Sequence, residues 1–242
     1  LVTALECLRQ GRSVIVVDKD TPERLGGLGL WAFGGMALVG TPLQARLGIR
    51  DTPEIALRDW LRFGELGADD HWPRAWAQHY AERSRPEVYD WLRAEGVRFM
   101  PTVNWVERGV YGEGNALPRY HIVWGTARHM TRVLIAAMRA ADPGGRLTVL
   151  HRTRIEALDN FGGALSGALA INEETGAQSL IKAPMVVLAM GGLNGDARQV
   201  RANWTKDRPM PSAMLNGAHP FSDGRLHQEA VGRVDARITH AG

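Results

Sequence analysis

The feature that most constrains this chain is a run of β-branched residues, Val14-Ile15-Val16-Val17, entered from Ser13 and closed by Asp18. A run without polar alternation suits a strand covered on both faces of a parallel sheet. Before it, Leu1, Ala4, Leu5 and Leu8 share one helical face, and Gly11 supplies a stop. Helix, tight turn and strand in that order form the second half of a βαβ unit. The helix opens without an N-cap, so a strand and glycine turn of about 15 residues are expected ahead of Leu1. Without that strand, an empty slot is expected beside residues 13–18. A second run, 185–190 (MVVLAM), leads into Gly191-Gly192 and is expected to join the same sheet.

Between these runs the periodicity changes. Thr52 with Pro53 opens a helix carrying Ile55, Leu57, Trp60 and Leu61; further helices are expected over 73–83, from Pro86 to Gly96, and over 127–141 behind a Thr126 cap. Trp72 and Trp76 lie one turn apart and are expected to pack into the core. Residues 25–36 and 101–120 read as loops. Beyond 146, segments 147–153, 155–161, 164–172 and 178–183 read as strands, the last three joined through Gly162-Gly163 and Glu174–Gly176 turns into an antiparallel ribbon. The expected architecture is α/β: a parallel sheet, a β-ribbon crossover at about 155–183 and a helical insert at about 37–146, all within one partial domain spanning 1–242.

Composition removes several classes of function. With 45% hydrophobic residues and a net charge of +3, the chain can bury a core and is not disordered. Only three of its 29 basic residues are Lys, and the arginines are scattered singly, which argues against a nucleic-acid surface. The single cysteine, Cys7, excludes a disulfide framework and a Cys-based zinc site, and reads as a small buried hydrophobe. Apolar runs reach six residues, as in 185–190, against the ~18 of a membrane span, so a cytoplasmic location without an integral membrane segment is expected. His71, His79, His129 and His151 lack metal-ligand spacing, so no metal is expected. No G-x-S-x-G elbow or Ser-His-Asp spacing is present.

Three segments could carry chemistry. Asp18, at the end of a buried strand, can accept hydrogen bonds from both hydroxyls of an adenosine ribose, though it could equally be a solvated strand-end acid. The glycine pairs Gly26-Gly27 and Gly34-Gly35 allow backbone amides to approach a pyrophosphate or a ring system, or simply shape a surface loop. Gly191-Gly192 closes a strand at the carboxyl edge of the sheet, where ligands collect, or makes a plain turn. Arg119, Tyr120 and His121 precede the Gly125-Thr126 helix start; a cation there suits an anionic or carbonyl oxygen of a substrate, or a structural hydrogen bond. With Tyr111 they are weak catalytic candidates, expected only in supporting roles.

Taken together, VIVVDK, LGG…FGGM, HRTRIEAL, VVLAMGG and SDGR resemble the flavoprotein subunit family of fumarate reductase and succinate dehydrogenase. Segments 46–51, 70–77 and 112–126 and the Asn203-Trp204 pair are more similar to bacterial FAD-binding dehydrogenases allied to 3-ketosteroid Δ1-dehydrogenases. The resemblance spans the whole chain but less than half of such an enzyme, so the expected fold lacks both its first strand and its later half. It implies FAD as cofactor, with Asp18 on the adenosine ribose and Lys19 beside it. Gly26, Gly27, Gly34 and Gly35 would line the pyrophosphate and the flavin edge, with Trp31 and Phe33 near the ring. Arg154 and Ile155 would touch adenine through their backbone. Ala189, Gly191 and Gly192 would close over the adenosine, and Asp223 would contact the flavin. The implied reaction is hydride transfer between FAD and a C–C bond α,β to a carbonyl, in an enone or steroid-like small molecule, with the electron acceptor left open. An NAD(P)-dependent oxidoreductase, and a non-catalytic remnant of the same fold, stand as alternatives; the ribbon at 155–183 argues against the former.

Overall fold

The structure, a computed structural model, describes residues 1–109, 112–159, 165–206 and 208–238. Tyr111, the Gly162-Gly163 turn and the end of the strand expected at 155–161 lie outside the described residues. The chain divides into two compact units. The first comprises Leu1–Arg9 and Gly29–Asp142, the second Gln10–Leu28 and Pro143–Gly242.

In the first unit, helix α1 (Val2–Arg9) buries Ala4, Leu5 and Leu8 and packs on α6 (Thr126–Ala140). Helix α2 (Pro42–Arg46) starts at a capping box in which Thr41 and Gln44 satisfy each other's backbone amides. Thr52 and Pro53 open α3 (Pro53–Phe63), which packs on α4 (His71–Arg83). Where a fresh helix was expected at Pro86, the chain instead runs on from α4 through a π-type stretch, Ser84–Asp90, into α5 (Trp91–Ala94). Proline supplies no amide to a helical ladder, and the wider turn absorbs its absence.

Residues 101–120, expected as loop, contribute to a three-stranded antiparallel sheet. Strand β4 (Tyr120–Val123) lies between β2 (Gly35–Ala37) and β3 (Phe99–Asn104). Pro101 falls within a register shift between Phe99 and Val103, on an edge strand that tolerates a missing donor, which hides β3 from strand rules. Leu38, Leu43, Tyr89 and Val103 form one core cluster, and Leu92, Val97, Val123 and Leu134 another, with Met36, Val88 and Phe99 packed against both. Two expectations fail here. Trp72 and Trp76 are more than two-thirds exposed, because α4 turns Ala77 and Ala81 inward instead. The α6 cap is left-handed Gly125; Thr126 follows at φ 63°, its hydroxyl accepting from the Arg128 amide.

In the second unit, β1 (Val14–Val17) pairs in parallel with β5 (Leu147–Leu150), Val14 opposite Leu147 and Val17 opposite Leu150. Strands β6 (Thr153–Asp159), β7 (Gly167–Asn172) and β8 (Gln178–Lys182) form an antiparallel sheet with a register shift between Ile155 and Ala157. Short helix α7 (Ala197–Ala202) follows, and α8 (Arg225–Val234) packs on β6. The expected double-sided burial of β1 is not met: Ile15 is 48% exposed. Nor is 185–190 a strand. It carries no regular structure, and Met185 is 77% exposed. An extended run becomes a strand only where a neighbour completes its ladder, and among the described residues β1 pairs with β5 alone. Cys7, expected buried, is half-buried.

Candidate functional site

In a parallel ladder, ligands gather beyond the carboxyl ends of the strands. Here those ends are Val17 and Leu150, and the chain just past them is drawn together by backbone bonds. The Asp18 amide donates to Leu150 O (2.9 Å), Thr153 N to Asp18 O (3.0 Å) and Arg152 N to Asp20 O (3.0 Å). Asp18 is half-buried, and its Oδ1 accepts the Asp20 amide at 2.8 Å. Its Oδ2 has no partner among the described residues, so one acceptor oxygen remains for a ligand hydroxyl. Lys19 holds its ammonium 4.6 Å from the centroid of the Phe221 ring, a cation–π contact that binds the strand end to the turn at 219–222.

That turn brings in a third segment. Gly195 N donates to Ser222 O (2.8 Å), and a Cβ on left-handed Gly191 would stand 2.9 Å from the Ser222 hydroxyl. Asp223 is half-buried and Oδ1 accepts the Arg225 amide (3.1 Å) at the start of α8. The strand end, 191–195 and 219–225 thus form one cluster, and the sequence-derived residues Asp18, Lys19, Gly191 and Asp223 all belong to it. Gly192 and Ala189 sit exposed alongside on the unstructured 185–192 segment. Gly26 and Gly27 are left-handed, at φ 110° and 53°, and a Cβ on Gly27 would meet nothing within 4 Å. Backbone at Gly27 therefore faces open space, as a cradle for a bulky anion requires, and a Cβ on Gly192 would make only an ordinary contact, 4.0 Å from the Asn194 amide.

Arg154 and Ile155 lie on β6 facing Ile171 and Ala170. The Arg154 guanidinium is paired with Glu156 and Glu173. The irregular register at 155–157 is the place on β6 where ladder bonding is interrupted.

The remaining candidates belong to the first unit and behave differently. Gly34 and Gly35 are used by the protein itself. A side chain on Gly35 would overlap the Tyr120 ring, and one on Gly34 would press on the Ala127 amide. Trp31 and Phe33 are exposed. Continuing the β2–β4 register sets Phe33 opposite Trp124, itself exposed, which gives this sheet end an uncovered aromatic rim.

Arg119 and His121 are enclosed. Arg119 is bidentate to Asp51 (2.7 and 2.9 Å) and reaches Asp59 at 2.8 Å, with both carboxylates wholly buried. Burial alone would lower its pKa, but the hydrogen bonds from Asp51 and Asp59 more than offset this and raise it. His121 is fully buried. Its Nδ1 donates to Arg119 O (2.7 Å), so Nε2 accepts from the Thr41 hydroxyl at 2.8 Å. Burial holds its pKa below the ordinary value, which keeps it neutral. Both ring nitrogens are taken by structural hydrogen bonds, the second of the two readings open to this residue from the sequence.

Sequence reasoning missed Asp20, His219 and Phe221. Asp20 is buried and hydrogen-bonded 199 positions away to His219 at 3.2 Å. No local pattern announces a partner at that separation.

The FAD binding domain family profile matches residues 1–234. A KsdD-like steroid dehydrogenase of Mycolicibacterium smegmatis is 36% identical over 246 residues, covering 93% of this chain and 44% of that protein. The chain therefore spans less than half the length of that relative. Among solved structures, the 3-ketosteroid-delta4-(5alpha)-dehydrogenase of Rhodococcus jostii RHA1, in complex with 4-androstene-3,17-dione, superposes with TM-score 0.79 at 21% identity, covering 98% of this chain and 52% of that one. A flavocytochrome c3 fumarate reductase gives 0.71 at 22% identity, covering 95% and 38%. At these identities the structures establish a shared fold.

Proposed function

Because the chain belongs to the FAD binding domain family, we propose that it forms the cofactor-holding part of a flavin-dependent dehydrogenase that moves hydride between FAD and a C–C bond α,β to a carbonyl. The observation that carries the reading is the half-open cluster beyond β1. The free Asp18 Oδ2 suits a ribose hydroxyl, and an acid at this position disfavours a 2′-phosphate and requires the adenosine that FMN lacks. When bound, FAD supplies the hydride-accepting ring.

The chain's own residues bind and orient. Asp18 fixes the ribose, the backbone of Gly26 and Gly27 takes the pyrophosphate side, Gly191 and Gly192 close over the adenosine, and the Arg154–Ile155 backbone meets the adenine edge. Asp223 and the start of α8 direct backbone amides at the flavin end. The exposed Phe33–Trp124 rim suits a flat apolar substrate. The relative's name, a steroid dehydrogenase, favours a steroid as that substrate, and a 3-ketosteroid supplies the carbonyl the reaction needs.

The test is titration of the full-length apoprotein with FAD, FMN and NADP, followed by reduction of the bound flavin with a saturated 3-ketosteroid under anaerobic conditions. Tight binding of FAD alone and bleaching of its visible band are expected. Preference for NADP would move the protein to a nicotinamide enzyme. Tight FAD binding without bleaching by any enone or ketone would leave the cofactor reading and remove the substrate.

A further inference from the structure

We propose that Asp20 and His219 form a latch that positions the Asp223–Gly224 turn for FAD, an inference that rests on the FAD reading above. Neither residue has a part in the proposed chemistry. Yet Asp20 is buried, which is rare for an aspartate outside a pair or a site. Its Oδ1 accepts the Thr21 amide at 2.8 Å, Oδ2 stands 3.2 Å from His219 Nε2, and Arg24 lies at 3.8 Å. His219 Nδ1 accepts the Phe221 amide at 3.3 Å, so its Nε2 carries a proton and donates to Asp20.

The imidazole thus spans from the strand end to its own turn. The Phe221 ring, held by Lys19 on one side, meets the His219 ring edge-on at 5.3 Å. Consecutive residues Lys19 and Asp20, next to Asp18, therefore grip the 219–221 turn at two points. From there the connection is mostly backbone. Ser222 N donates to His219 O (2.9 Å), Ser222 O accepts from Gly195, and Asp223 Oδ1 accepts the Arg225 amide. Left-handed Gly224 is the α8 N-cap. Displacing His219 moves Asp223, the first turn of α8 and the 191–195 segment together.

With a neutral imidazole as donor, the bond to the Asp20 carboxylate contributes only modestly to net stability, because it replaces a hydrogen bond to water. Its consequence here is geometric: it holds the ribose-binding acid and the flavin-end turn in one frame. His219 is accordingly a positioning residue.

The test measures FAD dissociation constants by flavin fluorescence quenching in the full-length protein, beside the melting temperature of each apoprotein. His219→Ala should raise the FAD Kd about tenfold, the loss of roughly one hydrogen bond to a charged group, with little change in apo melting. His219→Gln, which can return an N–H toward Asp20, should recover most of that affinity. Asp20→Asn, which keeps shape but loses charge, should fall between them. Unchanged affinity in both His219→Ala and Asp20→Asn overturns the latch while leaving FAD binding intact. Equal losses in Ala and Gln variants, tracking a fall in apo melting temperature, overturn it too, by reducing the pair to bulk stability. A wild-type protein that does not bind FAD removes the parent reading, and the latch with it.

Discussion

Two polar clusters, one in each unit, use the same residue types to opposite ends. Around Arg119, the charges of Asp51 and Asp59 are met by guanidinium nitrogens, Gln44, Arg62 and the Ala116 amide, while Thr41 and His121 satisfy one another. Around Asp18, one carboxylate oxygen is taken and the other has no partner among the described residues. A saturated network has no acceptor to offer and resists rearrangement; a half-satisfied one at the edge of a sheet is where a ligand gains most. The comparison teaches that a charged cluster in sequence does not announce a site. The unfilled valence does.

The sharpest way to break this contrast is to unbalance the closed cluster. Arg119→Ala strands two buried carboxylates and should cost about 3–5 kcal/mol in urea unfolding. A loss below about 1 kcal/mol would mean that water reaches Asp51 and Asp59 and that the cluster is not closed at all.

The same operation on the open cluster should cost function more than fold. Asp18→Ala should weaken FAD binding roughly tenfold to a hundredfold, from about 1.5–3 kcal/mol for a hydrogen bond to a charged group. Its unfolding free energy should fall by about 1 kcal/mol, from the Asp20 amide left without its acceptor. FAD retained at wild-type strength would sink the ribose assignment.

Between them stand Gly34 and Gly35, which the resemblance sets beside the cofactor and against which the structure packs Ala127 and Tyr120. Gly35→Ala forces the Tyr120 ring aside and should destabilise by about 1–3 kcal/mol. Combining it with Tyr120→Ala should restore part of that difference. A Gly35→Ala protein of wild-type stability but poor FAD affinity would reverse the assignment.

The smallest effect is on pH. Because burial lowers the folded-state pKa of His121, the unfolded chain binds the proton first as pH falls. The stability tied to this residue is complete above about pH 6.5 and declines below it, by at most about 1.4 kcal/mol per pH unit for one proton. In chemical unfolding between pH 7.5 and 5, His121→Gln should show a shallower decline than wild type. Parallel curves would mean the imidazole is not desolvated.

Much of the local structure was legible because it depends on short-range chemistry. The Thr52-Pro53 start of α3, the left-handed stop at Gly11, the helix at 126–140 and the β6–β7–β8 ribbon all follow from capping, turn and periodicity rules acting within a dozen residues. Asp18 was legible for the same reason, as an acid at the end of an apolar run. What failed was whatever depends on a neighbour. Residues 185–190 have the composition of a strand but lack a ladder, Pro101 conceals an edge strand, and Trp72 and Trp76 keep helical spacing while facing water.

The amino-acid order by itself determined the capped helix α3, the β6–β7–β8 ribbon and, through the combined motifs, the family. Tertiary structure alone decided that His121 is a neutral strut, that Gly35 makes room for Tyr120, and that Asp20 meets His219 across 199 residues. The reason is physical: a hydrogen bond's partner and a carboxylate's solvation are properties of the space around an atom, and sequence spacing carries no information about that space beyond the next turn.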